Sequence, residues 1–139
     1  MADRLHVELV SAERRLKADD ATMVVARTVD GDIGVLRGHT PIVSLLADGL
    51  VRVEGGDDGT WTAVVSGGFL SVAADRVSVL AERAVLGDDD FDPAAAQREL
   101  DDARRRLDSA SDDEQREDAQ ADVDRAEAWV RATERAARR

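Results

Sequence analysis

The chain has 139 residues, a formal net charge of −11, 35% charged residues and no cysteine. That length allows one or two small domains around a modest core. The acidic balance excludes nucleic acid as a default partner, and the lack of cysteine removes disulfides and thiolate metal sites.

From Leu5 to about Leu86, apolar residues recur at period two or in short aliphatic runs punctuated by glycine and aspartate. Leu5, Val7 and Leu9 fall on one strand face, with His6 and Glu8 on the other. Ala21 to Thr28, carrying β-branched Thr22, Val24 and Val25, reads as a further strand, and Asp30-Gly31 as the hairpin turn after it. The stretch from Gly31 to Ile42 then sets Gly31, Gly34, Gly38, His39 and Pro41 among aliphatics, which makes a shaped loop. It is no phosphate cradle, because neither a Gly-Lys-Ser/Thr ending nor a glycine opening a helix follows. Leu50 to Glu54 and Thr60 to Val65 make a hairpin across the polar 55–59 tip. Phe69 to Val72 and Val77 to Ala81 complete the set, bounded by Gly67-Gly68 and Ala74-Asp75. Many short strands without helical period predict an antiparallel β-sandwich or flattened barrel. Aromatic residues make up 3% of the chain, so Val, Leu and Ile are expected to fill the core with Phe69 and Trp61.

The pattern changes at Gly87-Asp88-Asp89-Asp90. In Phe91-Asp92-Pro93, Asp92 can accept orphan helical amides and Pro93 suits the first helical position, with Phe91 stapling onto Ala96. Ala96, Leu100, Ala103 and Leu107 form one stripe of a helix from about Pro93 to Asp108. Ser111-Asp112-Asp113-Glu114 has the form of a capping box opening a second helix to about Ala137, with Ala119, Val123, Ala126, Val130, Thr133 and Ala137 as its stripe. The second helix is longer, so Trp129 and Val130 are expected beside the β domain. The predicted fold class is α+β: an N-terminal antiparallel β-sandwich over residues 1–87 and a C-terminal antiparallel two-helix hairpin over 88–139. The hairpin seam is mostly alanine and contributes only a few kcal/mol at about 25 cal/mol per Å², so it can open.

From residue type alone, His39 suits a loop histidine bonded to its own backbone, and the arginines late in each helix suit its dipole. Acidic pairs such as Asp101-Asp102 lie on a solvated helix face with no histidine nearby, so catalysis finds no support. No early run is apolar enough for a signal peptide or a span, which predicts no direct membrane insertion.

Gly31-Asp32-Ile33-Gly34-Val35-Leu36-Arg37-Gly38-His39-Thr40-Pro41-Ile42, Asp48-Gly49-Leu50-Val51-Arg52-Val53, Ser66-Gly67-Gly68-Phe69-Leu70 and Val77-Ser78-Val79-Leu80-Ala81, in that order, resemble the bacterial epsilon subunit of the F-type ATP synthase. The resemblance covers nearly the whole chain. It implies a noncatalytic central-stalk rotor component of a proton-translocating complex, peripheral at the cytoplasmic face of the cell membrane. It implies that the sandwich holds the gamma subunit and rests on the membrane rotor ring of c subunits, the motif for that contact falling on Asp32, Gly38, His39, Thr40 and Pro41. Arg37 departs from the proline usual before the Gly-His pair. It further implies that the helices extend toward the catalytic head of alpha and beta subunits, meet acidic segments of the beta subunits and gamma, and block ATP hydrolysis, which singles out Arg104, Arg105, Arg106, Arg131, Arg135, Arg138 and Arg139. Some members bind ATP through Ile/Leu-Asp-x-x-Arg-Ala; here Ala95 stands at the arginine position of residues 91–96 and Arg98 is a poor substitute, so no cofactor is expected. A reading of another class is a free-standing adaptor whose sandwich binds a ligand and whose helices recruit a partner. The poverty of aromatics speaks against sugar as that ligand.

Overall fold

The computed structural model describes residues 4–87 and 91–138. The strands are β1 Leu5–Ser11, β2 Arg15–Ala21, β3 Met23–Thr28, β4 Gly31–Leu36, β5 Ile42–Gly56, β6 Gly59–Ser66, β7 Phe69–Ala73, β8 Arg76–Ala81 and β9 Arg83–Leu86. Helices α1 Pro93–Asp108 and α2 Asp113–Ala137 follow. The predicted boundary at Asp88, Asp89 and Asp90 and the candidate Arg139 lie outside the described residues.

Two sheets face each other, ordered β2-β1-β8-β7-β5 and β4-β3-β5-β6-β9. Strand β5 belongs to both. Ile42 to Leu45 pair with β7, and the chain beyond pairs with β3 and β6. The crossing is an elbow: between the Thr28–Leu46 and Ala26–Val51 pairs, Ala47 to Leu50 stand against Arg27 alone. Such an excess of residues on one strand bends it and raises its twist. Two runs that look separate in the sequence thereby become one strand. The pairings among the described residues are antiparallel except β1 with β8, which is parallel. Their connection passes through six intervening strands, so no tight turn is required.

Strand alternation fills the space between the sheets. Leu5, Val7 and Leu9 of β1, Leu70 and Val72 of β7 and Val77 and Val79 of β8 face Val24, Val35, Val51, Val53 and Val65 in one cluster. No side chain of α1 or α2 belongs to it. Strand β6 breaks the alternation, with Ala63, Val64, Val65 and Ser66 all buried, because the helices cover its outer face. A continuous apolar run is the mark of a strand buried on both sides.

Three expectations shift. Phe69 is not core: the corner at Gly68 sets Leu70 and Val72 inward and leaves Phe69 41% exposed on the opposite face. Trp61 is partly buried at the rim of the core. The turn after β3 is Val29-Asp30 rather than Asp30-Gly31, because Thr28 pairs with Gly31 and the Thr28 hydroxyl donates to the Gly31 carbonyl at 2.7 Å.

The tip of the β5–β6 hairpin is tied to β2 by a buried carboxylate. Trp61 Nε1 donates to Asp19 Oδ2 at 2.9 Å and the Asp57 amide to Oδ1 at 3.1 Å, while Lys17 lies 5.4 Å over the Trp61 ring. Burial by itself raises the Asp19 pKa. The donations from Trp61 and the Asp57 and Asp20 amides, with the Lys17 charge, outweigh it and hold the carboxyl below its ordinary 3.8. A depressed folded pKa means stability that is complete above the unfolded value and is lost as pH falls through the folded one. Asp19→Asn is therefore expected to cost roughly 1–3 kcal/mol at pH 7, with the gap to wild type closing in acid below 3.8. Denaturant unfolding at both pH values measures this, and a gap that does not change with pH refutes the assignment.

Both helices are capped by their own sequence. Asp92 Oδ1 accepts the Ala94 amide at 2.9 Å with Pro93 next in the chain, and Phe91 packs against the cluster that contains Ala96. The second cap is Asp112 rather than Ser111: Asp112 Oδ1 accepts the Gln115 amide at 2.8 Å, and Gln115 Oε1 reaches back to the Ser111 amide at 2.9 Å. Leu100, Ala103, Val123 and Ala126 make the seam between the helices. Past Ala126 the buried stripe of α2 turns to Trp129, Ala132, Thr133 and Ala136, leaving Ala137 exposed. There α2 meets Leu50, Val64 and Val85 of the sandwich, with Ala96 of α1 in the same cluster.

Candidate functional site

The Gly38-His39-Thr40-Pro41 loop is braced by the neighbouring β7–β8 turn. Ala74 and Asp75 turn the chain with φ of 50° and 62°, and this presents Asp75 to the loop. Its Oδ1 accepts the Gly38 amide at 2.7 Å, and Arg37 Nε lies 3.8 Å from Oδ2. Where a proline would stiffen the turn, Arg37 thus supplies an ion pair. His39 donates its backbone N–H to the Leu36 carbonyl at 3.1 Å and its Nδ1–H to the Thr40 carbonyl at 2.7 Å. Gly38, Thr40 and Pro41 are exposed and His39 is half-buried. Asp32 does not join them. It lies near the other end of β4 beside Arg27, whose Nε is 3.2 Å from Asp32 Oδ1. At ~3.3 Å per residue, about 13 Å of strand separates Asp32 from Leu36 at the start of the loop.

An apolar stripe crosses the outer face of the first sheet. Val43 is 72% and Leu45 60% exposed. Leu45 stands opposite Phe69, Phe69 opposite Leu80, and Leu80 opposite Val10. Val10, Leu45, Phe69 and Leu80 line a shallow groove of about 410 Å³. Large side chains left in a row on a strongly charged surface mark an interaction face. The i, i+2 spacing of Val43 and Leu45 is its trace in the sequence.

The candidate arginines of the helices divide into two groups. Arg104 is exposed, Arg105 pairs with Asp102, and Arg106 lies 3.8 Å from Asp122 across the hairpin. Arg131 and Arg135 instead hold α2 to the sandwich at Asp48, and Arg138 is exposed at the helix end. Arg83 of β9 adds a further tie: its Nη1 is 2.6 Å from Glu99 of α1 and its guanidinium 4.3 Å from the Trp129 ring. These long-range ties through Asp48 and Arg83 were not legible in the sequence. Between sandwich and hairpin lies an open cleft of about 650 Å³ lined by Glu82, Arg83, Glu99, Arg106, Asp122 and Arg125. Its arginines pair with its acids, Arg83 with Glu99 and both Arg106 and Arg125 with Asp122. In the 91–96 window Asp92 is engaged as the cap and lies 3.9 Å from Arg98. No group of three or more metal-ligating side chains occurs among the described residues.

A β-sandwich whose last strand leads into a docked helical hairpin belongs to a defined class. The family described as ATP synthase, Delta/Epsilon chain, beta-sandwich domain matches residues 4–87. The ATP synthase epsilon chain of Streptomyces griseus is 47% identical over 111 residues, covering 80% of this chain and 89% of that one. That of Maricaulis maris is 42% identical over 129 residues, covering 92% and 95%, and so reaches into the helices. A chain in the cryo-EM structure of the Euglena gracilis mitochondrial ATP synthase, which includes the c-ring, superposes with a TM-score of 0.61 at 26% identity over 90% of this chain and 78% of that one. A chain of the Tetrahymena thermophila central stalk and c-ring shares the fold alone, with a TM-score of 0.53 at 12% identity over 93% and 96%. The chain belongs to the ATP synthase epsilon chain family, noncatalytic subunits of the central stalk.

Proposed function

We propose that the sandwich, residues 1–87, joins this chain to the gamma subunit through the Val43–Leu45–Phe69 stripe, and to the ring of c subunits through Asp32 and the Gly38-His39-Thr40-Pro41 loop. The hairpin, residues 88–139, acts as a brake on ATP hydrolysis when Arg104, Arg105, Arg106, Arg131, Arg135 and Arg138 meet acidic segments of the beta subunits and gamma at the catalytic head. The complex couples protons, and its partners hold this chain at the cytoplasmic face of the bacterial membrane. No helix among the described residues is long and apolar enough to cross a membrane. ATP is not a ligand, because Ala95 offers no guanidinium to a phosphate.

The observation that carries this reading is the exposed stripe, whose burial needs a partner surface. Tagged protein isolated from membranes is expected to bring alpha, beta and gamma with it. The double variant Leu45→Asp/Phe69→Asp is expected to recover roughly tenfold less gamma, since two carboxylates would have to be desolvated at the contact. Wild-type protein that comes away alone, or a folded double variant that retains gamma in full, would reject the attachment.

A further inference from the structure

Three bonds converge on one residue at the elbow of β5. Asp48 Oδ1 accepts the Gly67 amide at 3.2 Å, its Oδ2 lies 3.2 Å from Arg131 Nε, and its backbone carbonyl accepts Arg135 Nη1 at 2.9 Å. The Asp48 side chain is only 14% exposed. The Gly67 bond orients the carboxylate from within the sandwich, independently of the helices. Arg131 and Arg135 stand four residues apart on α2, so one face of the helix delivers both to the same elbow.

We infer that Asp48 is a latch that holds the hairpin docked, and that it competes with the catalytic head for Arg131 and Arg135. The inference rests on the brake reading above. In the docked state both arginines are engaged at Asp48. A hairpin that reaches an acidic surface elsewhere must release them first, so the two arrangements exclude each other. Substitutions on the two sides of the latch then act in opposite directions. Loss of the Asp48 charge frees Arg131 for the head, leaves Arg135 on the backbone carbonyl, and deepens inhibition. Loss of the arginines opens the latch and also weakens the head contact. The apolar contacts of Trp129, Ala132 and Ala136 remain in either case, so the latch sets a balance and does not hold the fold.

The test uses the full chain, alone and assembled. Amide hydrogen exchange in α2 over 129–136 is expected to quicken about threefold to tenfold in Asp48→Asn and in Arg131→Gln/Arg135→Gln, the range for a charge-assisted pair with one partner half exposed. Exchange in β1 and β8 should not change. In the assembled complex, hydrolysis is expected to fall with Asp48→Asn and to rise with the arginine pair. Unchanged α2 exchange in both variants overturns the latch, whatever hydrolysis does. Faster exchange with unchanged hydrolysis keeps the latch and rejects the brake. Hydrolysis that moves in the same direction in both overturns the competition. If Asp48→Asn disturbs the corner through Gly67, the arginine pair, which leaves the sandwich untouched, decides the exchange result.

Discussion

Removal of residues 92–139 is expected to leave a folded sandwich still bound to its partners and to raise ATP hydrolysis by the assembled complex. The cluster between the sheets, from Leu5 to Ala81, is built without any helical side chain. The hairpin docks through a separate cluster, in which Leu50, Val64 and Val85 meet Trp129, Ala132 and Ala136. Truncation uncovers that outer face at a cost of roughly 1.5–3 kcal/mol for a side chain such as Val64, and leaves the inner cluster closed. If the hairpin occupies the braking arrangement for a fraction f of the time, its removal raises the rate by 1/(1 − f). Half occupancy gives about a twofold rise and nine-tenths about tenfold. Initial hydrolysis rates of complexes carrying the full or the truncated chain measure f. An unchanged rate rejects the brake, and failure of the truncated chain to assemble rejects the division of labour between sandwich and hairpin.

What the sequence showed and what it hid follow from the range of the forces involved. Helix α1 runs from Pro93 to Asp108 as read, because an Asp-Pro cap and a stripe of four apolar residues act within one or two turns of chain. The second cap moved by one residue because Ser111 and Asp112 are near equals as caps, and the choice fell to Gln115 closing back on Ser111. The stripe of α2 was legible through Val130 and the fully buried Thr133, and failed at Ala137, which is exposed. Up to Ala126 its partner is α1; beyond it a sheet surface joins Ala96 of α1, so Trp129, Ala132 and Ala136 are buried beside the predicted stripe. Phe69 was misplaced for a similar reason: which face an aromatic takes depends on the parity set by the Gly67-Gly68 corner. Asp48 was out of reach altogether, since it meets Arg131 across 83 positions of chain and no local pattern announces such a pair. Of the resemblance-derived contacts, the fold separates Asp32 from the Gly38–Pro41 loop, so a partner touching both must span the length of β4.

Gly68→Ala is expected to destabilise the sandwich by about 3–4 kcal/mol, at the upper end of single substitutions, whereas Gly67→Ala beside it should cost only about 1–2 kcal/mol. Both glycines have positive φ, 68° at Gly67 and 96° at Gly68, so both substitutions carry the left-handed penalty. What separates them is the neighbour a β-carbon would meet. At Gly67 it would lie 2.8 Å from Glu82 Oε2, the end of a flexible side chain that can swing aside. At Gly68 it would lie 2.8 Å from both the Ala81 α-carbon and the Leu80 carbonyl carbon, and closer still to the Leu80 oxygen. Those are backbone atoms of β8. They cannot retreat without opening the β7–β8 ladder that begins at the Phe69–Leu80 pair, and the Gly68 carbonyl also accepts the Leu46 amide at 3.0 Å. The corner therefore has strands on two sides, and strain there spreads into both sheets. Denaturant unfolding of the two variants beside wild type is the measurement. Equal losses in both would mean that backbone conformation, rather than the close approach of β8, requires glycine at this corner, and a loss under about 1 kcal/mol at Gly68 would contradict the packing described for it.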